Sequence, residues 1–407
     1  MQIHFNDLLY ALSLALDYVE SELTGVKPFH AERVAYIAVL LGRSYGLSDS
    51  VRLSLAAAAV LHDNALTECI SLHWPPRSEP ALMNARPKDF SSALRSHCFI
   101  GEKNLQIFSF YPSIQNAVLY HHENADGSGP FHLHAVDTPL PAQLIHIAHL
   151  LDDHFILNQA TIEMPPIDGW LRRHTDHFFT RDLAAVVSSL FPTLSPENLT
   201  DANIRQRLQE LLPHDIHEYP LAEIQNVATL FAHIIDYKSH LTCTHSTDIA
   251  EKAEKLGHYL KQDPETCTKF YLAGALHDIG KLTIARTILE KPDRLTKKEY
   301  ALIKMHALAS WQILKPITDL PDVVEWASCH HEKLNGTGYP FGKTAAELSV
   351  NARLLCCIDI YQALIEARPY KKVMPHCQVI RMMRAMVRNG EIDGPLTEVI
   401  NQCFLRQ

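Results

Sequence analysis

The feature that most constrains this chain is a set of histidines placed twice at the same intervals. His30, His62-Asp63, His97 and His121-His122 stand in the first half, and His245, His277-Asp278, His306 and His330-His331 in the second. The first interval is 32 residues in both halves, and the last is 24 residues in both. Only the middle interval differs, 35 residues against 29. The surplus falls in a proline-rich stretch, HWPPRSEPALMNARP, that reads as a loop. A histidine-rich composition alone would not keep two spacings and confine the difference to one loop. The chain is therefore a duplicated domain. Each copy closes its series on a similar phrase, HHENADGSGPF at 121–131 and HHEKLNGTGYP at 330–340.

The segments between the histidines carry helical signatures. FHAERVAYIAVLLGRSYGL repeats its apolar residues at i, i+3, i+4, with Pro28 just before it and Gly46 at its end. DPETCTKFYLAGALHD opens on Asp263 as N-cap and Pro264 in the first turn. TKKEYALIKMHALASWQIL opens on a Thr296/Glu299 capping box. No stretch sustains the period-two alternation of a half-buried strand. The expected fold is all-α, with two helical bundles at 1–159 and 219–407. Between them, 160–218 reads as a helical connector carrying WLRRHTDHFFTRDLAAVVSSLF and PENLTDANIRQRLQELL.

Composition narrows the function classes. A length of 407 residues suits two domains, and 47% hydrophobic with 20% charged residues suits a folded chain. Nine cysteines, an odd number without framework spacing, read as reduced thiols of a cytoplasmic protein. The N-terminal stretch lacks the basic region of a signal peptide. No apolar run reaches the roughly 18 residues of a membrane span. A formal charge of −9 leaves no footprint for broad nucleic-acid binding. A phosphate ligand would depend on local cations or metals.

The second copy points to such metals. His245, His277, Asp278, His306, His330 and His331 recur at helix ends and a helix–loop junction. Imidazole and carboxylate suit Mn, Fe and Zn, and the absence of a cysteine pair argues against a structural zinc ribbon. Asp359 lies in an otherwise apolar helix, LLCCIDIYQAL, where burial would be unfavourable without a partner. Seven candidate ligands exceed the needs of one tetrahedral ion, so two metals are the economical reading. A carboxylate such as Asp278 can bridge two ions in the arrangement used for in-line attack on phosphate esters. Lys281, three residues on, adds a cation suited to charge on a phosphoryl oxygen.

HDIGK at 277–281, HHEKLNGTGYP, ARLLCCIDIYQAL at 352–364 and RPY at 368–370 together resemble the HD-GYP family of HD metallophosphohydrolases, from about residue 220 onward. The resemblance implies an all-α fold with a di- or trinuclear centre, often iron or manganese, and hydrolysis of cyclic di-GMP or 3′3′-cyclic GMP–AMP in bacterial signalling. It implies His245, His277, Asp278 and Asp359 on one metal and His306, His330 and His331 on the other, with Asp278 bridging. Catalysis would fall to Asp278 and Lys281, with Lys281, Gly338, Tyr339, Pro340 and Arg368 beside the substrate. Trinuclear members carry a Glu one turn before the first His, where Leu241 stands, so a dinuclear Fe or Mn centre is expected. Asn335 replaces an Asp common in the family, and Asp248 an Arg that the first copy retains as Arg33.

The first copy departs further. His30, His62, Asp63, His97, His121 and His122 keep the ligand positions, and His149 falls opposite Asp359, with Asp152 one turn on as another ligand candidate. Leu66 replaces the lysine, and GPF replaces GYP. A second metal site thus survives there without its phosphate-assisting cation, which suits regulation, ligand sensing or packing. The leading expectation is a phosphodiesterase with its chemistry in the C-terminal copy, acting among protein partners of a signalling pathway. The alternatives are a non-catalytic cyclic-dinucleotide receptor and a general HD nucleotidase.

Overall fold

Helix starts follow the capping residues. The Asp263 carboxylate accepts the Thr266 N–H at 3.0 Å. Ser349 Oγ accepts from Ala352 at 3.2 Å. The Thr296/Glu299 box closes in both directions, at 3.3 and 2.7 Å. Each bond satisfies an N–H that the first helical turn leaves without an internal partner. The computed structural model describes residues 1–24, 28–73, 90–155, 164–190, 199–212, 217–238, 244–291, 293–366 and 374–405. The proline-rich stretch from Trp74 to Pro87 lies outside them, as do Leu241 and Arg368.

The chain divides into two compact units, His4–Ile216 and Met1–Ile3 with His217–Gln407. Both are helical. The strands among the described residues are one antiparallel pair, Gln2–Ile3 with His217–Glu218, inside the second unit. No described helix is long and apolar enough to cross a membrane.

In the first unit the His30–Ser44 helix is buried on most of its faces and packs on helices Asp49–Val60, Leu140–Phe155 and Ile204–Leu211. The last of these comes from the expected connector. Arg205 pairs with the buried Glu32 carboxylate and donates to the Tyr10 carbonyl at 2.9 Å. An acid inside a core is tolerated only when paired, so this contact fixes the helix to the first unit. The described helices between 164 and 211 are part of that unit, and the first three residues are part of the second.

The second unit is built from helices Leu221–Lys238, His245–Tyr259, Pro264–Leu276, Lys297–Leu314, Pro321–Ser328, Val350–Ile365, His376–Arg388 and Gly394–Phe404, with a short turn of helix at Arg286–Leu289. Phe231, Phe270 and Phe404 are fully buried in it. Each contributes roughly 1.5–3 kcal/mol by apolar burial. The His245 and Pro264 helices pack against each other, which brings the start of one near His277 at the end of the other.

The turn after His277-Asp278 crosses the Lys297–Leu314 helix at backbone contact. A Cβ on Gly280 would lie 2.0 Å from the His306 carbonyl oxygen, and the Gly280 N–H donates to Ser310 Oγ at 2.9 Å. The first copy places its glycine on the opposite partner. Ala65 occupies the turn, and Gly101, four residues after His97, occupies the helix, where Asn64 donates to its carbonyl at 3.1 Å. Both copies keep one glycine at the crossing, on opposite sides of it. Gly280→Ala is expected to destabilise the chain by about 1–3 kcal/mol and to weaken metal binding by displacing His306, read by denaturant unfolding and metal titration.

Candidate metal centre

In the second unit the buried Asp278 carboxylate lies among four imidazoles. Its Oδ2 is 3.1 Å from His277 Nε2 and 3.7 Å from His245 Nε2. Its Oδ1 is 3.3 Å from His306 Nε2 and 3.8 Å from His330 Nε2. Asp359 repeats the division, with Oδ1 3.5 Å from His245 and Oδ2 3.6 Å from His331 Nδ1. Two ligand groups result, His245–His277–Asp359 and His306–His330–His331, each with its ligand atoms within 4.8 Å of one another. Each oxygen of Asp278 faces imidazoles of a different group.

The ring orientations are set by the helices. His277, His306 and His330 each donate Nδ1–H to the carbonyl three residues earlier, of Gly274, Ile303 and Ala327, at 2.6–2.7 Å. A carbonyl only accepts, so Nδ1 carries the proton and Nε2 presents a lone pair to the centre. His306 Nε2 and His330 Nε2 therefore face each other as lone pairs at 3.3 Å. His277 Nε2 is buried with no hydrogen-bond partner. Orphaned buried nitrogens are unfavourable by about 1–3 kcal/mol each. A cation among them removes that penalty, and the donor set, imidazole and carboxylate, fits a divalent first-row metal.

Electrostatics agree with ligands held ready. Burial pushes His306 down to about 4 and His330 well below its usual range, so both are neutral at neutral pH. Burial raises the Asp278 carboxyl, but His277 and Lys281 outweigh it and hold the group well below the usual carboxylate range. His245 differs. Burial lowers it, yet its bonds to Asp359 and Glu366 raise it to about 9. Its Nδ1 lies 3.2 Å from Glu366 Oε2.

Lys281 pairs with Asp278 Oδ2. Its side chain is 24% exposed and that of His331 28%, whereas the other ligands stay at 10% or less, so the centre opens on the Lys281–His331 side. Tyr339 walls this opening with its ring centroid 4.8 Å from that of His331. Lys304 sits over the Tyr339 and Tyr300 rings, at 5.6 and 5.5 Å. The Tyr339–Pro340 peptide is cis. The Glu of the phrase is a loop clamp, accepting the N–H groups of Phe341, Gly342 and Lys343 at 2.7, 3.1 and 3.0 Å. Gly338 lets the loop close, since a Cβ there would lie 2.3 Å from the Lys333 nitrogen.

The first unit repeats the plan. Asp63 Oδ1 is 2.9 Å from His97 Nε2 and 4.0 Å from His121 Nε2, while Oδ2 is 3.5 Å from His62 Nε2. Asp63, His97, His121 and His122 form one ligand group and His30, His62 and His149 another. Glu123 clamps its loop through Phe131 and Leu133, both at 2.6 Å. Asp152 is not turned to the centre. It accepts from His30 Nδ1 at 2.6 Å and Arg33 Nε at 2.7 Å, so it orients a ligand. The second unit rewires this pair, with Gln362 donating to Asp248 at 2.8 Å and Glu366 serving His245.

Glu20 and Asp153, which join His30 and His149 in a further group, escape the reading of the sequence. The signal for Glu20 was present, an acid inside the apolar helix LLYALSLALDYVESELT, as for Asp359. Its distance from His30, across a turn, concealed it.

Two family models, each described as an HD domain, match residues 29–152 and 229–396. The chain is a tandem HD-domain protein. This tandem HD-domain chain is 28% identical to 3′3′-cGAMP-specific phosphodiesterase 1 of Vibrio cholerae over 98% of its own length and 91% of the relative. It is 35% identical to 3′3′-cGAMP-specific phosphodiesterase 3 of that organism over 51% of this chain and 45% of the relative. It is 30% identical to the cyclic di-GMP phosphodiesterase PA4108 of Pseudomonas aeruginosa over 54% of this chain and 51% of the relative. The crystal structure of a cyclic GMP-AMP specific phosphodiesterase of V. cholerae, V-cGAP3, shares the fold, with a TM-score of 0.69 at 22% identity over 100% of this chain and 99% of that one.

The His245 geometry has a pH consequence. An imidazole binds metal only when neutral, and His245 stays protonated up to about 9 in the metal-free protein. Metal loading near neutral pH is expected to release about one proton from this site, with apparent affinity rising as pH climbs toward about 9. Calorimetry in buffers of different ionisation enthalpy reads this directly. A pH-independent affinity without proton release would contradict it.

Proposed function

We propose that this chain hydrolyses cyclic dinucleotides, cyclic di-GMP or 3′3′-cyclic GMP–AMP, to linear dinucleotides. The chemistry belongs to the second unit, and the first serves regulation or structure. The observation that carries the reading is the Asp278 carboxylate, whose two oxygens face separate ligand groups beside Lys281. A dinuclear Fe or Mn centre suits His245, His277, Asp278 and Asp359 on one side and His306, His330 and His331 on the other. Bound there, divalent ions would polarise a phosphodiester and make water nucleophilic near neutral pH.

The chain's own residues supply the rest. Lys281, partly exposed at the opening, moves from Asp278 to a non-bridging phosphoryl oxygen when substrate enters. Tyr339 bounds the opening, and Gly338 with Pro340 shapes its loop. Lys304 offers a second cation at the rim, which a ligand bearing two phosphates can use. With a net charge of −9, the chain attracts such a ligand through these local cations and metals rather than through its overall field. Arg368, which lies outside the described residues, is proposed as a further phosphate contact. The free cysteines among the described residues suit a reducing cytoplasm, where cyclic-dinucleotide signals and their protein partners act.

With Mn²⁺ or Fe²⁺ supplied, linear product from either cyclic dinucleotide is expected by mass spectrometry. Lys281→Ala is expected to lower turnover by about 10²–10³-fold. Asp278→Ala is expected to abolish it, whereas Asp63→Ala keeps at least partial activity. Equal losses in the two Asp variants would remove the division of labour. Tight binding of both nucleotides without product would establish a receptor instead.

A further inference from the structure

We propose that the rim of the second-unit opening is a base-and-phosphate subsite, in which Tyr300 stacks a purine of the substrate and Lys304 binds the phosphate that is not cleaved. The proposal rests on the phosphodiesterase reading above. It names the residues that make such a centre select a dinucleotide over a simple phosphodiester.

The rim is a row of side chains that leads outward from the ligand histidines. The Tyr339 ring centroid lies 4.8 Å from that of His331 and 6.5 Å from that of His306. Lys304 Nζ stands 5.6 Å from the Tyr339 centroid and 5.5 Å from that of Tyr300. Tyr300 and Lys304 belong to the Lys297–Leu314 helix that also supplies His306. Their spacing of four residues puts ring and cation on one face of it. Tyr300 is 53% exposed, so much of its ring is open to a ligand. An open aromatic face stacks a nucleobase, and a cation held beside it meets the phosphate of the same ligand.

Two observations favour a ligand over simple packing. Lys304 pairs with no carboxylate among the described residues, whereas Lys281, Lys291 and Lys333 each do. Its charge is left for an anion from outside. Lys315 over Trp311 and Lys343 over Phe341 make similar pairs, so a cation on a ring does not by itself mark a site. Lys304 differs in its place, on the ring that walls the metal ligands.

The second observation is the loss of both rings from the first copy. The glutamate clamps set the alignment, since Glu123 reaches Phe131 over eight residues and Glu332 reaches Phe341 over nine. Glycine and proline are kept in both loops, so the residue missing from the first is the counterpart of Tyr339. Counting back from His97 as from His306 puts Ser91 in the place of Tyr300 and Arg95 in that of Lys304. The copy with Leu66 for Lys281 thus keeps a rim cation and lacks both rings. Rings and reactive lysine are present together or absent together, which ties the rings to substrate.

The test uses the full-length chain loaded with Mn²⁺. Calorimetric binding of the linear dinucleotide 5′-pGpG, which carries two phosphates and two purines, is the first readout because it needs no turnover. Tyr300→Ala is expected to weaken binding about tenfold or more. Lys304→Met, which keeps a stem over the rings and removes the charge, is expected to do the same, and Lys304→Arg to retain most of the affinity. In turnover of a cyclic dinucleotide, KM is expected to rise in both weakened variants by more than kcat falls. The kcat/KM for the cyclic dinucleotide relative to that for bis(p-nitrophenyl) phosphate, which has one phosphate and no purine, is expected to fall about tenfold. Affinity within about twofold of the parent in either variant overturns the proposal. So does a parent that does not bind 5′-pGpG, or an equal loss on both substrates. A parent that binds 5′-pGpG through these residues yet forms no product removes the phosphodiesterase reading and keeps the subsite. Product formation with unchanged affinities does the reverse.

Discussion

The arrangement depends on one carboxylate surrounded by imidazoles, three of which turn their protons away from it. Helix geometry does the orienting. A histidine that donates Nδ1–H to the carbonyl one turn back has its Nε2 fixed toward the interior. Three such histidines, with His245 at a helix start, converge on Asp278 from different elements. The result is a buried cluster of imidazole nitrogens and carboxylate oxygens whose geometry could hold metal ions. Positions of helices, the glycine crossing at Gly280 and the clamped loop at Glu332 all serve to keep those lone pairs within a few ångströms of one another.

Much of this was legible in the sequence because it follows a period. The intervals of 32 and 24 residues place His62-Asp63 and His121-His122, and their second-copy equivalents, at corresponding points of a helical fold. Capping residues such as Asp263 and Thr296 mark helix starts by local chemistry, and the structure forms those caps. What was not legible depends on chain closure. The Glu332 clamp requires a loop to return over eleven residues, and the need for Gly338 appears only when that loop presses on Lys333. Glu20 joins His30 through packing of separate helices. The helices at 164–211 read correctly as helices, but the unit they pack on depends on Arg205 meeting Glu32, a pairing no local pattern announces.

The two copies also show how a duplicated site drifts without losing its frame. Gly280 in one copy and Gly101 in the other sit on opposite sides of the same helix crossing. Arg33 with Asp152 in one copy corresponds to Asp248 with Gln362 in the other, a paired change that keeps the contact and changes its charge. Lys281 and Leu66 have no such compensation. That difference falls on the chemistry rather than the frame, and it is the basis for proposing that the phosphate chemistry belongs to the second copy.

The most direct measurement is an anomalous difference map from crystals of the full-length chain loaded with Mn²⁺. The account requires two peaks in the second unit, one on each side of Asp278, with Lys281 moved off the carboxylate. A single peak served by one ligand group, with Lys281 still paired to Asp278, would contradict it.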